Sequence, residues 1–143
     1  MNLDAYQAME LAGALRQTLI EQQESFVFET VLSDPVGNKL EFLGNAQRRG
    51  FTVVLCFIGL DSAETSEERV AMRVLQGGHD VPNEKIASRF PRTLANLKRA
   101  IAQLEGVLVF DNSDLARPFR KVAEFRRGRP VFLASPPAWL KWK

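Results

Sequence analysis

Residues 51–60, Phe-Thr-Val-Val-Leu-Cys-Phe-Ile-Gly-Leu, form a nearly unbroken apolar run, the strongest strand signal in the chain. A run of this kind predicts a central strand buried on both faces. Upstream, Met9, Ala12, Leu15 and Leu19 recur at helical spacing across residues 4–23, with Asp4 placed to cap the helix. Gly13 inside it costs roughly 1 kcal/mol relative to alanine, so a close helix contact is expected there. Residues 25–29, Ser-Phe-Val-Phe-Glu, predict a short buried strand ending on a carboxylate. Residues 36–49 predict a second amphipathic helix, closed by Gly50.

Beyond the strong strand, Asp61 and Ser62 are placed to cap a third helix. Gly77 and Gly78 end it, because glycine tolerates the left-handed conformation of a helix stop. Pro82 suits the start of the next helix, which continues through Leu94, Leu97, Ile101 and Leu104 until Gly106 breaks it. Pro91 near its start is expected to bend it. Residues 107–110 predict another buried strand, and residues 119–125 and 131–134 a β-hairpin turning at Arg126-Arg127-Gly128. Pro136-Pro137 ends regular structure. The tail Ala-Trp-Leu-Lys-Trp-Lys carries both tryptophans, which predicts that it folds back or docks on a partner.

Strands alternating with helices predict an α/β fold: a mainly parallel sheet flanked by helices, with a C-terminal β-hairpin. The 143 residues suit one domain, 1–143, with 45% hydrophobic and 25% charged residues, as in ordinary globular proteins. A formal net charge of +2 argues against nonspecific nucleic-acid binding, which needs a larger, concentrated positive charge. Cys56 is the sole cysteine and His79 the sole histidine. No internal disulfide, cysteine cluster or multi-histidine metal site follows from them, and no metal site is expected. Cys56 lies in the apolar run and reads as a buried packing residue. No basic region followed by an apolar core opens the chain, and no apolar run approaches the roughly 20 residues that cross a bilayer. The expectation is a cytoplasmic protein without membrane contact.

The candidate chemistry centres on residues 69–92, Arg-Val-Ala-Met-Arg-Val-Leu-Gln-Gly-Gly-His-Asp-Val-Pro-Asn-Glu-Lys-Ile-Ala-Ser-Arg-Phe-Pro-Arg. Arg69 and Arg73 share one helix face, and Arg89 and Arg92 share another. Guanidiniums are forked donors that match phosphate oxygens and keep their charge, so the hairpin reads as a phosphate clamp. The same spacing fits two solvated faces with Glu67, Glu68 and Glu84 as ion partners. Glu29, with Thr30 beside it, is placed to orient a substrate hydroxyl or hold a magnesium-bound water, or else to cap a turn. Asp111, Asn112 and Ser113 follow a strand, where they would read a nucleobase or ribose, or make an ordinary turn. Arg120, Lys121, Arg126, Arg127 and Arg129 read as solvated surface.

Taken in order, Ser-Phe-Val-Phe-Glu-Thr-Val-Leu-Ser-Asp, the arginine string with Gly77-Gly78-His79 and Val81-Pro82, and Val-Phe-Asp-Asn-Ser resemble the zeta-toxin family of P-loop kinases, in its zeta-toxin-like chromosomal branch. The resemblance spans residues 10–127. It implies transfer of the ATP γ-phosphate, with Mg2+, to a hydroxyl of UDP-N-acetylglucosamine, and neutralisation by a small helical antitoxin. It implies that Arg73 and Arg89 act on the phosphates during transfer, with Arg69 and Arg92 alongside, and that Glu29 and Thr30 bind the sugar. Where the family carries a second threonine, this chain has Val31. The family's Walker A loop, G-x4-G-K-[ST], occurs nowhere in the chain, and the family's catalytic aspartate lies upstream of the matched region. The chain therefore resembles the C-terminal part of the kinase without its nucleotide-binding head, an incomplete P-loop kinase-like domain expected to be inactive alone. Loss of the head's central strand predicts unpaired edges on the strands at 25–29 and 107–110. Those edges imply association with itself or with a polypeptide that completes the sheet. The alternative is a non-catalytic remnant that binds a phosphorylated ligand or a partner protein, as an antitoxin decoy would.

Overall fold

A computed structural model describes residues 2–143. The chain divides into two compact units, residues up to Thr30 and Val31–Lys143.

The first unit is built on α1 (Ala5–Glu21). Asp4 caps it as expected, in a reciprocal box. Its carboxylate accepts from the Gln7 amide at 2.8 Å, and the Gln7 side chain accepts from the Asp4 amide at 3.0 Å. The close contact expected at Gly13 is absent, since a methyl group there would meet only the far end of Arg16, at 3.9 Å. The strand expected at 25–29 does not form. A strand needs a neighbouring edge, and this run instead stays irregular. The Phe26 and Phe28 rings pack 5.9 Å apart, and the Arg16 guanidinium lies 4.9 Å from the Phe28 centroid.

The second unit holds α2 (Asn38–Arg48), β1 (Val54–Gly59), α3 (Ala63–Leu75), α4 (Asn83–Gln103), β2 (Gly106–Asp111), β3 (Arg120–Arg126) and β4 (Arg129–Leu133). Its sheet runs β1-β2-β3-β4. The β1–β2 pair is parallel, as the intervening helices require, whereas β2–β3 and β3–β4 are antiparallel. The sheet is thus mixed, with its parallel part confined to one pair, because the C-terminal hairpin adds directly to β2. That hairpin turns on Arg127 and Gly128, both with positive φ, the geometry that matches strand twist in a two-residue loop.

β1 stands at the edge of the sheet, not its centre. Its side chains alternate. Phe57 and Gly59 are buried, while Val54, Cys56 and Ile58 face outward and are exposed. Cys56 is therefore not a packing residue. The strand at 107–110 has no free edge either, since β2 is flanked on both sides. The unpaired edges belong to β1 and β4.

The core lies on the other face of the sheet. Leu40 from α2 and Leu97, Ala100 and Ile101 from α4 pack on Val107, Val109 and Phe125. The tail closes this core. Trp139 sits 6.1 Å from Phe57 and Trp142 5.4 Å from Phe125, centroid to centroid. Both tryptophans fold back, as expected of costly exposed rings. α4 runs continuously through Pro91. Asn96, only 4% exposed, donates to the carbonyls of Leu32 and Asp34 at 3.0 and 2.9 Å. It fastens the start of the second unit to α4. No helix of the described residues is long and apolar enough to cross a membrane.

Candidate functional site

Parallel pairing of β1 with β2 puts both C-terminal ends at one edge. Gly59 lies opposite Asp111, and the Asn112 amide donates to the Gly59 carbonyl at 2.9 Å. In open α/β sheets this edge is where ligands bind. α3 leaves from it, capped by Ser62, whose hydroxyl accepts from the Thr65 amide at 3.1 Å. Asp61 supports that start by accepting from the Thr65 hydroxyl at 2.5 Å.

Asp111, Asn112 and Ser113 form a turn. One Asp111 oxygen accepts from the Ser113 amide at 3.1 Å and its hydroxyl at 2.5 Å, and the other pairs with Arg120 at 3.4 Å. The Asn112 side-chain oxygen accepts from the Phe119 amide at 3.1 Å, which holds Phe119 at positive φ. These polar atoms are spent on the loop itself, as Asx-type turns spend them.

Arg69 joins the helical hairpin to that turn. Its guanidinium donates to the Ser113 carbonyl at 2.8 Å, which leaves most of its donors unused. Arg73 is exposed one turn further along α3. Its backbone is fixed by the helix stop, where the Gly78 amide donates to the Arg73 carbonyl at 2.7 Å and the Gly77 amide to the Val74 carbonyl at 3.0 Å. That bond pair is a Schellman stop, with Gly77 left-handed at φ +84°. Arg89 and Arg92 follow on α4, both half-buried. The Arg92 Nε is buried with no hydrogen-bond partner, an expensive state for a charged group's donor.

Among the described residues, none of Arg69, Arg73, Arg89 and Arg92 forms an ion pair, and neither do Glu67, Glu68 or Glu84. Four basic residues of the C-terminal hairpin behave otherwise. Arg120, Lys121, Arg126 and Arg127 all pair with carboxylates. Lys121, first, and then Arg126 hold the Glu124 carboxyl below its ordinary value by hydrogen bonding.

Glu29 and Thr30 lie at the end of the first unit, exposed and outside any strand. A shallow depression lined by Gln47, Gln103, Glu105 and Arg127 opens at the opposite end of β2 from Asp111 and includes none of Arg69, Arg73, Arg89 and Arg92. No group of three or more His, Cys, Asp or Glu residues is gathered among the described residues. Sequence reading passed over Asn96 and gave Asp61 only a capping role. Asn96 had a signal, as an amide in phase with the apolar stripe of Leu97, Ala100 and Ile101.

The architecture is an α/β domain whose parallel strands end beside a helical hairpin rich in unpaired arginines. A model of the zeta toxin family matches residues 5–123, and the chain belongs to that family, whose members are kinase-like toxins. No curated protein and no solved structure gives a significant match.

Proposed function

We propose that the α3–α4 hairpin binds the phosphates of a nucleotide or nucleotide sugar such as UDP-N-acetylglucosamine, with Arg73 and Arg89 as the principal contacts and Arg69 and Arg92 beside them. One observation carries this: four arginines stand in one hairpin without a carboxylate among their partners, while Arg120, Lys121, Arg126 and Arg127 at the C-terminal end of the chain are each paired. Unpaired guanidiniums repel one another, and a phosphate group relieves that repulsion through charge-assisted, forked hydrogen bonds. In phosphoryl transfer the protein's part is mostly positioning and charge neutralisation, so the same arginines serve binding and, in a complete site, γ-phosphate transfer to a sugar hydroxyl. Asp111, Asn112 and Ser113 shape the nucleotide end through their turn.

For ATP and Mg2+ the donor set fits only in part. The arginines suit phosphate oxygens, but the amide cradle, lysine and magnesium-bound hydroxyl of a G-x4-G-K-[ST] loop are not in this sequence. Our reading is therefore that these residues by themselves bind phosphorylated ligand and do not turn over ATP. An antitoxin-type protein is the proposed macromolecular partner.

Titration calorimetry with ADP and with UDP-N-acetylglucosamine tests the site. Each of Arg73→Ala and Arg89→Ala removes charge-assisted bonds worth about 1.5–3 kcal/mol, so binding should weaken about tenfold to a hundredfold. Arg117→Ala, in the surface pair with Asp114, should leave it unchanged. Equal affinities across all three variants would overturn the clamp. Magnesium-dependent ATP turnover that is lost in Arg73→Ala would instead make the chain catalytic.

A further inference from the structure

β1 uses its backbone hydrogen-bonding groups on one side only, because it pairs with β2 and closes the order of the sheet. Edge strands usually carry a charge, a proline or a bulge that blocks pairing with another chain. The opposite edge, β4, has such devices. It opens Arg129-Pro130, and its register against β3 shifts between Glu124 and Phe125. β1 has none of them. It reads Val-Leu-Cys-Phe-Ile-Gly and pairs with β2 without a register shift. Val54 and Ile58 on its open face are 45% and 53% exposed, and Cys56 between them is exposed too.

The charges around β1 choose the occupant. Arg48 and Arg49 precede the strand, and Asp61 and Glu64 follow it. None of the four forms an ion pair among the described residues. A second copy laid antiparallel sets the basic end of each strand against the acidic end of the other, twice over by symmetry. A parallel copy sets like charge against like.

We propose that the protein self-associates through β1, which pairs antiparallel with β1 of a second copy and joins the two four-stranded sheets edge to edge. The register places Cys56 opposite Cys56 and Val54 opposite Ile58. Directly opposed residues share a face of the sheet. This register therefore sets the outward residues of one copy against the outward residues of the other. A slip of one residue would set them against Leu55, Phe57 and Gly59, of which Phe57 and Gly59 are already covered within their own chain. The pairing needs neither ligand nor the arginine hairpin.

The 143-residue chain tests this by sedimentation equilibrium over a dilution series, with diamide oxidation of its sole cysteine as a register probe. A two-fold dimer is expected, cross-linked rapidly through Cys56 in the wild type. Cys56→Ser should dimerise without cross-linking. Ile58→Lys, at an exposed position, should weaken association by about tenfold or more, since symmetry counts each substitution twice. Val54→Glu combined with Ile58→Lys sets opposite charges across the strand pair and should restore it. A monomer at every concentration overturns the proposal. A dimer indifferent to Ile58→Lys, with circular dichroism showing that the variant folds, also overturns it. A dimer that does not cross-link overturns the register.

Discussion

Two residues show how much a single side chain decides here. Asn96 is an amide in the middle of an apolar stripe, and both its donors are used on the carbonyls of Leu32 and Asp34. Replacing it leaves one buried and one part-buried carbonyl without this donor, so Asn96→Ala should cost about 2 kcal/mol. The urea midpoint would fall while the slope stays the same; an unchanged midpoint would mean that solvent reaches those carbonyls. Glu124 lies between Lys121 at 2.7 Å and Arg126 at 2.8 Å. Its carboxyl titrates below the ordinary value in the folded state, chiefly through the Lys121 hydrogen bond. A lowered folded value gives stability that is present above the unfolded value, about 4.3. That stability is lost as pH falls through the folded one. The melting temperature should therefore drop on acidification below about pH 4, and Glu124→Gln should flatten the drop. Parallel slopes for wild type and variant would assign the acid sensitivity to other carboxylates.

Among the elements, α3 and β1 are the instructive pair. The end of α3 was legible because its cause is local: two glycines in sequence, the first left-handed, close a stop that any chain with that string would close. Gly77→Ala forces a side chain into φ +84°, at a cost of about 1–2 kcal/mol. A methyl group on Gly78 would meet the Arg73 carbonyl at 2.8 Å and disturb the backbone that carries Arg73. Denaturant melts of the two alanine variants measure this. Full stability in both would remove the stop as the anchor of Arg73. The position of β1 was not legible. An apolar run signals that a strand is apolar, not how many neighbours it has. The run at 25–29 failed for the same reason, since its strand would have needed an edge supplied from elsewhere in the fold.

At the scale of the molecule, the tail is what completes the second unit's core. Trp139 covers Gly59, where even a methyl group would run into the indole ring. The tail thus packs over the strand end from which α3 departs. Gly59→Ala should destabilise by about 1–3 kcal/mol through overpacking, and Trp139→Ala by about 3–5 kcal/mol through the cavity it leaves. The double variant should lose less than their sum, because the missing ring makes room for the methyl group. Strict additivity in thermal melts would place the ring elsewhere. Residues 124–143, which carry this closure, lie beyond the span of the family match.

The sequence by itself determined what depends on short range: the cap at Asp4, the α3 stop, the hairpin turn within Arg126-Arg127-Gly128, the helical phase that puts Arg69 with Arg73 and Arg89 with Arg92, and the family. These follow from backbone preferences and spacings within a few residues. Only the tertiary structure decided which strand holds the edge, that Cys56 faces outward and that Asp111 and Asn112 are engaged in their own turn. It alone left the hairpin arginines without acidic partners. Those outcomes rest on which distant segments meet, and burial and pairing are properties of the meeting, not of either segment.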